Sequence, residues 1–159
     1  MHLGLDPLIG SNAAPSDEAI RPRQTRRSLP IALLRARESV MSKFRPMLNR
    51  HDLNEQQWRV IRMLGEHGEL DASQLAEKAL VLAPSLTRML KSLKARKLIK
   101  QRVDKDDKRR SLISITPEAQ RVIDEITPES AAIYAEIEAS FGKAEIEKLL
   151  DLLEAVTKL

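Results

Sequence analysis

The sequence predicts a mainly α-helical fold that contains one two-stranded β hairpin. Only four of the 159 residues are aromatic and only five are glycine, so the core must be built from aliphatic side chains, which helices pack well. Apolar residues recur at helical spacing through most of the chain, whereas between residues 98 and 116 they alternate with polar residues, as in a strand. A chain of this length forms one domain with a core of its own.

The N-terminal residues 1–28 are predicted to be a disordered tail, because they contain three prolines and the basic string RPRQTRR and show no periodicity. The folded domain is expected to cover residues 29–159. Its first helix is predicted from five apolar residues that share one helical face: Ile31, Leu34, Met41, Phe44 and Leu48. Pro46 is expected to kink or interrupt this helix near its end.

Capping signals predict the next three helices. Asn54, with Gln57 three residues later, is typical of a helix start, and this second helix is expected to run to Gly68. Asp71 is expected to cap the third helix. Pro84 suits the first position of the fourth, because its missing N–H would be unpaired there. The third and fourth helices, joined by a short apolar turn, form a helix-turn-helix.

Two strands are predicted at residues 98–103 and 111–116, with a charged, Asp-rich tip between them. Thr116 is expected to cap the fifth helix and Gly142 to end it. The final helix carries an apolar stripe: Ile146, Leu149, Leu150, Leu153 and Val156. Two segments are therefore predicted to join two copies of the chain: about residues 29–50 and about residues 117–159. Closure of the chain's own core by these stripes is the alternative.

Positive charge is concentrated in one segment. Residues 84–110 contain eleven Lys or Arg and three Asp, a net charge of +8, while the whole chain is +4. The rest of the chain is therefore net −4, and residues 117–159 alone carry ten acidic and four basic side chains. Such a localised positive surface is typical of proteins that bind the phosphates of duplex DNA. Binding of an acidic protein partner is the alternative.

The fourth helix carries the candidates for reading DNA, since the N-terminal side chains of such a helix reach base edges in the major groove. Ser85, Thr87 and Arg88 lie in its first turns, and Arg88 suits a bidentate contact to guanine. Farther along the helix, three cations are candidates for phosphate contacts: Lys91, Lys94 and Arg96. A solvated surface helix would carry the same cations, but the basic hairpin that follows favours DNA binding.

Other functional classes are excluded or disfavoured. Without cysteine, the chain has no disulfide, no thiolate metal site and no cysteine nucleophile. The three histidines lack metal-ligand spacing, the five glycines form no phosphate-binding loop, and no Ser/His/Asp arrangement stands out. We therefore predict no catalytic residue, no metal and no cofactor. No apolar run is long enough to cross a bilayer, which predicts a soluble, cytoplasmic protein without a membrane partner.

The segment at residues 106–116 resembles the wing signature of the MarR family of winged-helix regulators, in which Asp-x-Arg is followed by a strand that ends in Leu-Thr. Asp107 and Arg109 occupy the first two positions, and Ile115 replaces the Leu. The resemblance implies a winged helix-turn-helix with a DNA-binding lobe at about residues 54–116. It also implies that Arg109 enters the minor groove while Asp107 holds it in place. The wing candidates for DNA binding are Asp107, Lys108, Arg109 and Arg110.

Residues 31–59 resemble the first helices of the repressors of homoprotocatechuate (4-hydroxyphenylacetate) degradation operons, and residues 84–87 resemble the recognition helix of that subgroup. The resemblance implies a homodimeric repressor of an aromatic-acid catabolic operon, bound to a pseudo-palindromic double-stranded operator. It also implies release by a small aromatic carboxylate such as 4-hydroxyphenylacetate or homoprotocatechuate. The alternative is a winged-helix protein–protein interaction module without a small-molecule ligand.

A site for an aromatic carboxylate needs a cation, a ring surface and apolar walls. In the family such a site lies where the first, second and fifth helices meet. The candidates of these residue types are Arg37, Met41, Arg45, His51 and Trp58, with Arg62 nearby. More ordinary roles stay open: a core position for Trp58, surface ion pairs for the arginines and a contact with a helix dipole for His51.

Overall fold

The computed structural model describes residues 27–159 and shows six helices and three short strands within them. Their bounds are α1 Leu29–Arg50, α2 Glu55–His67, β1 Leu70–Asp71, α3 Ala72–Ala79, α4 Ala83–Ala95, β2 Ile99–Val103, β3 Ser111–Ile115, α5 Pro117–Phe141 and α6 Lys143–Val156. A boundary between two units of the chain falls after Ser39, and the contacts below lie in the unit of residues 40–159. The tail predicted for residues 1–28 lies outside the described residues, except for its last two. The predicted helix-turn-helix and hairpin are both present.

Reciprocal capping fixes where α2 and α3 begin. The Asn54 side chain accepts a hydrogen bond from the Gln57 backbone at 2.8 Å, and the Gln57 side chain accepts one from the Asn54 backbone at 3.1 Å. Asp71 and Gln74 repeat this arrangement at 2.9 and 3.0 Å. Each pair satisfies two of the N–H groups that a helix start leaves open. Both predicted helix starts are confirmed.

Two prolines lie at positions slightly different from those expected. α4 begins one residue before Pro84, which therefore takes the second helical position, where its missing N–H is equally harmless. α1 runs through Pro46, so the interruption expected there is absent. Pro46 removes only one backbone donor near the end of the helix. The next residues, Met47 and Leu48, are each only 1% exposed, and their packing holds the last turn in place.

The three strands form one antiparallel sheet in the order β1-β3-β2. β2 and β3 pair along their full length, which confirms the predicted hairpin. β1 places Leu70 opposite Ile113 and Asp71 opposite Leu112. The sequence does not predict β1, because two residues carry no strand periodicity. Its pairing ties the start of α3 to the hairpin.

One apolar core lies beneath the helix-turn-helix and the hairpin. Leu64 of α2, Leu75 of α3, Leu93 of α4 and Ile113 of β3 are each no more than 1% exposed and belong to the same cluster. Because this packing is shared, it fixes the position of α4 relative to the hairpin.

The apolar stripe of α6 does not close this core. α6 contributes no buried residue. Of the predicted stripe, Ile146, Leu153 and Val156 are half-buried, and Leu149 and Leu150 are 49 and 53% exposed; Leu152, outside the stripe, is 58% exposed. Phe141 at the end of α5 is also exposed. The last helix thus presents an apolar surface that the second unit of the chain leaves uncovered.

Candidate nucleic-acid interface and ligand cavity

The outer face of α4 carries the residues predicted to bind DNA. The leucines of α4 are buried, which leaves the opposite side to polar residues. Arg88 and Lys91 are exposed, and neither side chain has an ion-pair or hydrogen-bond partner among residues 27–159. Thr87 is exposed too, but its hydroxyl donates to the Ala83 carbonyl at 3.1 Å, and Ser85 is half-buried. Arg88 and Lys91 are therefore the side chains of this face most available to DNA.

The cations at the end of α4 are engaged with other parts of the chain. Lys94 Nζ lies 3.4 Å from Gln101 Oε1 of β2. Arg96 donates from Nη1 to the Asp52 carbonyl at 2.6 Å and from Nη2 to the His51 carbonyl at 3.1 Å. Arg96 thus joins the end of α4 to the turn between α1 and α2, which favours a structural role over the predicted phosphate contact.

The tip of the hairpin holds Arg109 out in solvent. The Asp104 backbone N–H donates to the Arg110 carbonyl at 2.9 Å and closes the tip. Asp107 Oδ1 accepts from the Arg109 backbone N–H at 3.0 Å and from Arg109 Nε at 3.4 Å. The Arg109 side chain is 93% exposed, and Lys108 beside it is exposed as well. The pair expected from the wing signature is therefore present, and Asp107 also shapes the backbone of the tip.

Arg110, also predicted to contact DNA, faces the protein instead. Its Nη2 lies 2.7 Å from Asp71 Oδ2, and its Nη1 lies 3.6 Å from Asp104 Oδ2. On β2, Arg102 binds the two carboxylate oxygens of Glu69 at 2.8 and 2.5 Å. Two arginine–carboxylate pairs thus fasten the hairpin to the segment that starts α3. This arrangement favours positioning of the wing over a phosphate contact as the role of Arg110.

These contacts change the acidity of both carboxylates. The pKa of Asp71 is lowered, first by the Gln74 backbone N–H and then by the Arg110 guanidinium. Hydrogen bonds from Arg102 lower the pKa of Glu69. Both carboxylates therefore stabilise the fold above their ordinary values of 3.8 and 4.5, and this contribution is lost as the pH falls through the depressed folded-state values. The wing is expected to stay anchored throughout the neutral range.

Asp71→Ala is expected to lower the Tm by a few degrees at pH 7, because it removes both the cap of α3 and a partner of Arg110. Asp71→Ser keeps a capping oxygen and should lose less. Thermal unfolding followed by circular dichroism measures both effects. The difference between Asp71→Ala and the parent should shrink as the pH is lowered below 3.8, since the carboxyl group then becomes protonated. A difference that stays constant would exclude a role for the carboxylate charge.

If Arg88 makes the predicted bidentate contact to a base, Arg88→Ala should weaken operator binding by about 1–3 kcal/mol and relax the preference at one base position per half-site. Lys91→Ala is the matched variant: it should weaken specific and random DNA alike and reduce the salt dependence of binding. Fluorescence anisotropy with both duplexes over a salt series separates the two patterns. Equal losses on specific and random DNA would reassign Arg88 to phosphate binding.

A cavity of about 370 Å³ lies between α2 and α5. Trp58 and Tyr134 contribute aromatic rings, and the guanidinium carbon of Arg62 lies 6.0 Å from the centroid of the Trp58 ring. Glu66, also on the wall, accepts a hydrogen bond from Arg62 at 2.8 Å. Tyr134 packs against Phe44, with ring centroids 5.0 Å apart. The cavity combines ring surfaces with a cation, as an aromatic carboxylate requires.

The predicted ligand residues do not all meet at this cavity. Trp58 lines it, together with Arg62. Arg45 pairs with Glu55 at 2.7 Å and lines a second, more open cavity of about 310 Å³. Met41 packs partly buried against the core. Of these residues, Trp58 and Arg62 are the ones that the structure brings together with the chemistry of a ligand site.

His51 and Arg37 lie elsewhere. The His51 side chain is 16% exposed, and its ring nitrogens lie 3.7 Å from Glu125 and 3.8 Å from Glu129, both on α5. Arg50 also pairs with Glu129. His51 therefore joins the end of α1 to α5. Arg37 belongs to the unit that ends at residue 39.

Tyr134 is a cavity residue that the sequence reasoning missed. Ile126, Ile133 and Ile137 of α5 belong to the core or pack against it, and Tyr134 lies beside this stripe with half of its surface exposed. The signal available in the sequence is an aromatic residue that lies off the apolar stripe of its helix, in a chain with only four aromatics.

Two other kinds of site find no support in the described part of the chain. Among residues 27–159, no group of three or more His, Asp or Glu is placed to hold a metal ion. None of the helices in this range has both the length and the apolar character needed to cross a membrane.

Related proteins place these features in a family. A sequence model of the MarR family matches residues 51–110. The HTH-type transcriptional regulator FarR of Neisseria gonorrhoeae is 39% identical over 83% of this chain and 90% of its own length. The homoprotocatechuate degradative operon repressor of Escherichia coli is 41% identical over 80% of this chain and 86% of its own length.

A solved structure agrees with these relatives. The crystal structure of NadR in complex with 4-hydroxyphenylacetate is 36% identical and superposes with a TM-score of 0.75, covering 88% of this chain and 99% of the NadR chain. The resemblance drawn from the wing and the first helices is thereby confirmed. The chain belongs to the MarR family of winged helix-turn-helix proteins, whose members are DNA-binding transcriptional regulators and not enzymes.

Proposed function

We propose that this protein is a homodimeric repressor of an aromatic-acid catabolic operon. It binds a pseudo-palindromic operator and is released by a small aromatic carboxylate such as 4-hydroxyphenylacetate or homoprotocatechuate. The observation that carries the proposal is the cavity in which Trp58 and Tyr134 provide rings and Arg62 provides a cation. Two relatives support it: the E. coli protein is named for homoprotocatechuate degradation, and NadR was crystallised with 4-hydroxyphenylacetate.

The ligand carboxylate is expected to bind Arg62. The Arg62 side chain is 43% exposed and donates to Glu66, so an incoming carboxylate competes with Glu66 for the guanidinium. A planar guanidinium can bind both oxygens of a carboxylate at once. The ligand ring would then pack against Trp58 and Tyr134. A cavity of about 370 Å³ is of a size suited to a small molecule.

We propose that the exposed apolar surface of α6 packs against a second copy of the chain. The exposed Leu149, Leu150 and Leu152, with Phe141 beside them in sequence, give the C-terminal helices an apolar surface of the kind that marks protein interfaces. A two-fold dimer would present two recognition helices to successive major grooves, about 34 Å apart. The prediction that the last two helices join two copies thus forms part of the proposed function.

A series of contacts connects the cavity with the recognition helix. α5 lines the cavity and also carries Glu125 and Glu129, which flank His51. The His51 carbonyl accepts a hydrogen bond from Arg96 at the end of α4. A displacement of α5 relative to α2 would therefore be transmitted to α4 through the turn after α1. Ligand binding releases DNA if the ligand prefers an arrangement in which the recognition helices no longer match the groove spacing.

The proposal is tested with the purified full chain and the DNA that flanks its gene. We expect one duplex to be retained, with an affinity that falls steeply with salt and a footprint with two-fold symmetry. Random duplex of the same length is the control and should compete poorly. Equal binding to every sequence, or capture of an acidic protein without any specific duplex, would favour the protein-interaction alternative.

A further inference from the structure

The turn between α3 and α4 exposes two leucines. Leu80 and Leu82 are 79 and 77% exposed, and of the large apolar side chains in residues 27–159 only the C-terminal Leu159 is more exposed. Val81 between them packs against the core. Single exposed apolar residues are common on protein surfaces, so the exposure alone requires no explanation. The position of Leu82 in the fold, in contrast, requires an explanation.

Leu82 occupies the N-cap of α4, where its backbone is extended and its side chain caps no N–H group. At the same position, α2, α3 and α5 have Asn54, Asp71 and Thr116, and each of these side chains accepts a hydrogen bond from its helix. Leucine is among the least favourable N-cap residues. α6 also begins without a side-chain cap, but its N-cap is Gly142, a residue that is well tolerated at this position. The unfavourable Leu82 at the start of α4 therefore points to a functional demand at that position.

The residues that follow Leu82 indicate which function an exposed leucine could serve there. Leu82 directly precedes the first turns of α4, which lead to Arg88 and Lys91 on the exposed face. The N-terminal end of a recognition helix is the part that meets base edges in the major groove. On those edges the apolar group is the 5-methyl group of thymine. An exposed leucine at this end of the helix can make an apolar contact with that methyl group.

We propose that Leu82 contacts a thymine 5-methyl group in each half-site of the operator and thereby selects thymine at that position. This inference rests on the DNA binding proposed above and adds a base-selective contact by an uncharged side chain. Removing one methyl group from water against Leu82 raises the affinity about fourfold per half-site. Because no charge is involved, this preference should not depend on salt, in contrast to phosphate binding by Lys91.

Replacement of thymine by deoxyuridine removes the methyl group and nothing else, and therefore tests the contact directly. The operator is first isolated by selection from random duplexes with the full chain. Each thymine is then replaced at the symmetric positions of both half-sites, and the Kd is measured by fluorescence anisotropy. For the parent we expect a thymine position whose replacement weakens binding about fourfold per half-site. In Leu82→Asn that dependence should disappear.

Asparagine is chosen because it is a favourable N-cap residue, so the loss of methyl dependence in Leu82→Asn does not arise from a weakened α4. Val103→Asn replaces another exposed apolar residue, on the hairpin, and should keep the methyl dependence. Equal affinity of the parent for thymine and uracil duplexes at every position would overturn the inference while DNA binding stands. Methyl dependence retained in Leu82→Asn, or lost instead in Leu80→Asn, would overturn the assignment to Leu82. A parent that selects no duplex would overturn the proposed function itself.

Discussion

Arg62→Gln is expected to raise the concentration of 4-hydroxyphenylacetate that releases half of the bound operator by about tenfold or more. The substitution removes a charge-assisted hydrogen bond worth about 1.5–3 kcal/mol and leaves the rings of Trp58 and Tyr134 in place. Release is followed by the anisotropy of labelled operator at a fixed protein concentration. The affinity of the ligand-free variant for operator should match that of the parent, since Arg62 lies on the cavity wall and not on α4.

Glu66→Gln is the matched control on the same helix, and its expected effect has the opposite sign. Glu66 holds the Arg62 guanidinium at 2.8 Å, and a neutral amide would compete less strongly with an incoming carboxylate. The concentration of acid needed for release should therefore fall. Shifts in the same direction for Arg62→Gln and Glu66→Gln, or no shift in either, would show that Arg62 is not the partner of the ligand carboxylate.

We propose that the wing inserts Arg109 into the minor groove. Arg109→Ala is therefore expected to weaken operator binding by about 1.5–3 kcal/mol per half-site, because this charged donor is lost. The Arg109 side chain is 93% exposed, so its removal should leave the stability of the fold unchanged. Gel-shift titration gives the affinity, and thermal unfolding gives the stability. A variant that binds operator like the parent would exclude the wing contact.

Asp107 provides a sharper test of the same contact. Asp107→Ala removes a negative charge, which by itself improves long-range attraction to DNA. It also removes the acceptor for the Arg109 backbone N–H and Nε. We expect the loss of Arg109 orientation to outweigh the gain in long-range attraction, so that operator binding weakens. Asp107→Asn keeps a side-chain oxygen and should lose less than Asp107→Ala. Tighter binding by Asp107→Ala would contradict the orienting role, as would a larger loss than that of Arg109→Ala.

The features of the fold that were predictable from the sequence are the local ones. A helix start is encoded within four residues, as in Asn54 to Gln57, and the hairpin is encoded by alternation within each strand. β1 is defined by pairing with a strand about 40 residues away, and its two residues carry no periodic signal. The path of α1 through Pro46 is decided by tertiary packing of Met47 and Leu48, which overrides the local preference.

The candidate site residues also include some that the sequence predicts and others whose role depends on the tertiary fold. Arg88 and Trp58 are predicted from residue type and helical position, and Arg109 is predicted from the wing signature. Arg110 and Arg96 have the same residue type as the cations predicted to contact DNA, and only their long-range partners distinguish them. Tyr134 reaches the cavity because α5 crosses α2 in the folded chain, an arrangement that no short segment encodes. Charge and pattern thus predict a binding surface, and tertiary contacts determine which of its cations pair with other parts of the chain.

We propose that an aromatic carboxylate, recognised through its charge, releases this regulator from DNA. Titration of 4-hydroxyphenylacetate and of its methyl ester into the protein–operator complex tests it most directly, with anisotropy of the labelled operator as the signal. The two ligands share the ring and differ in the charge that Arg62 is proposed to bind. We expect the acid to release the operator and the ester to do so only at far higher concentration. Failure of the acid to release DNA would contradict the proposed ligand, and equal action of acid and ester would contradict recognition of its charge.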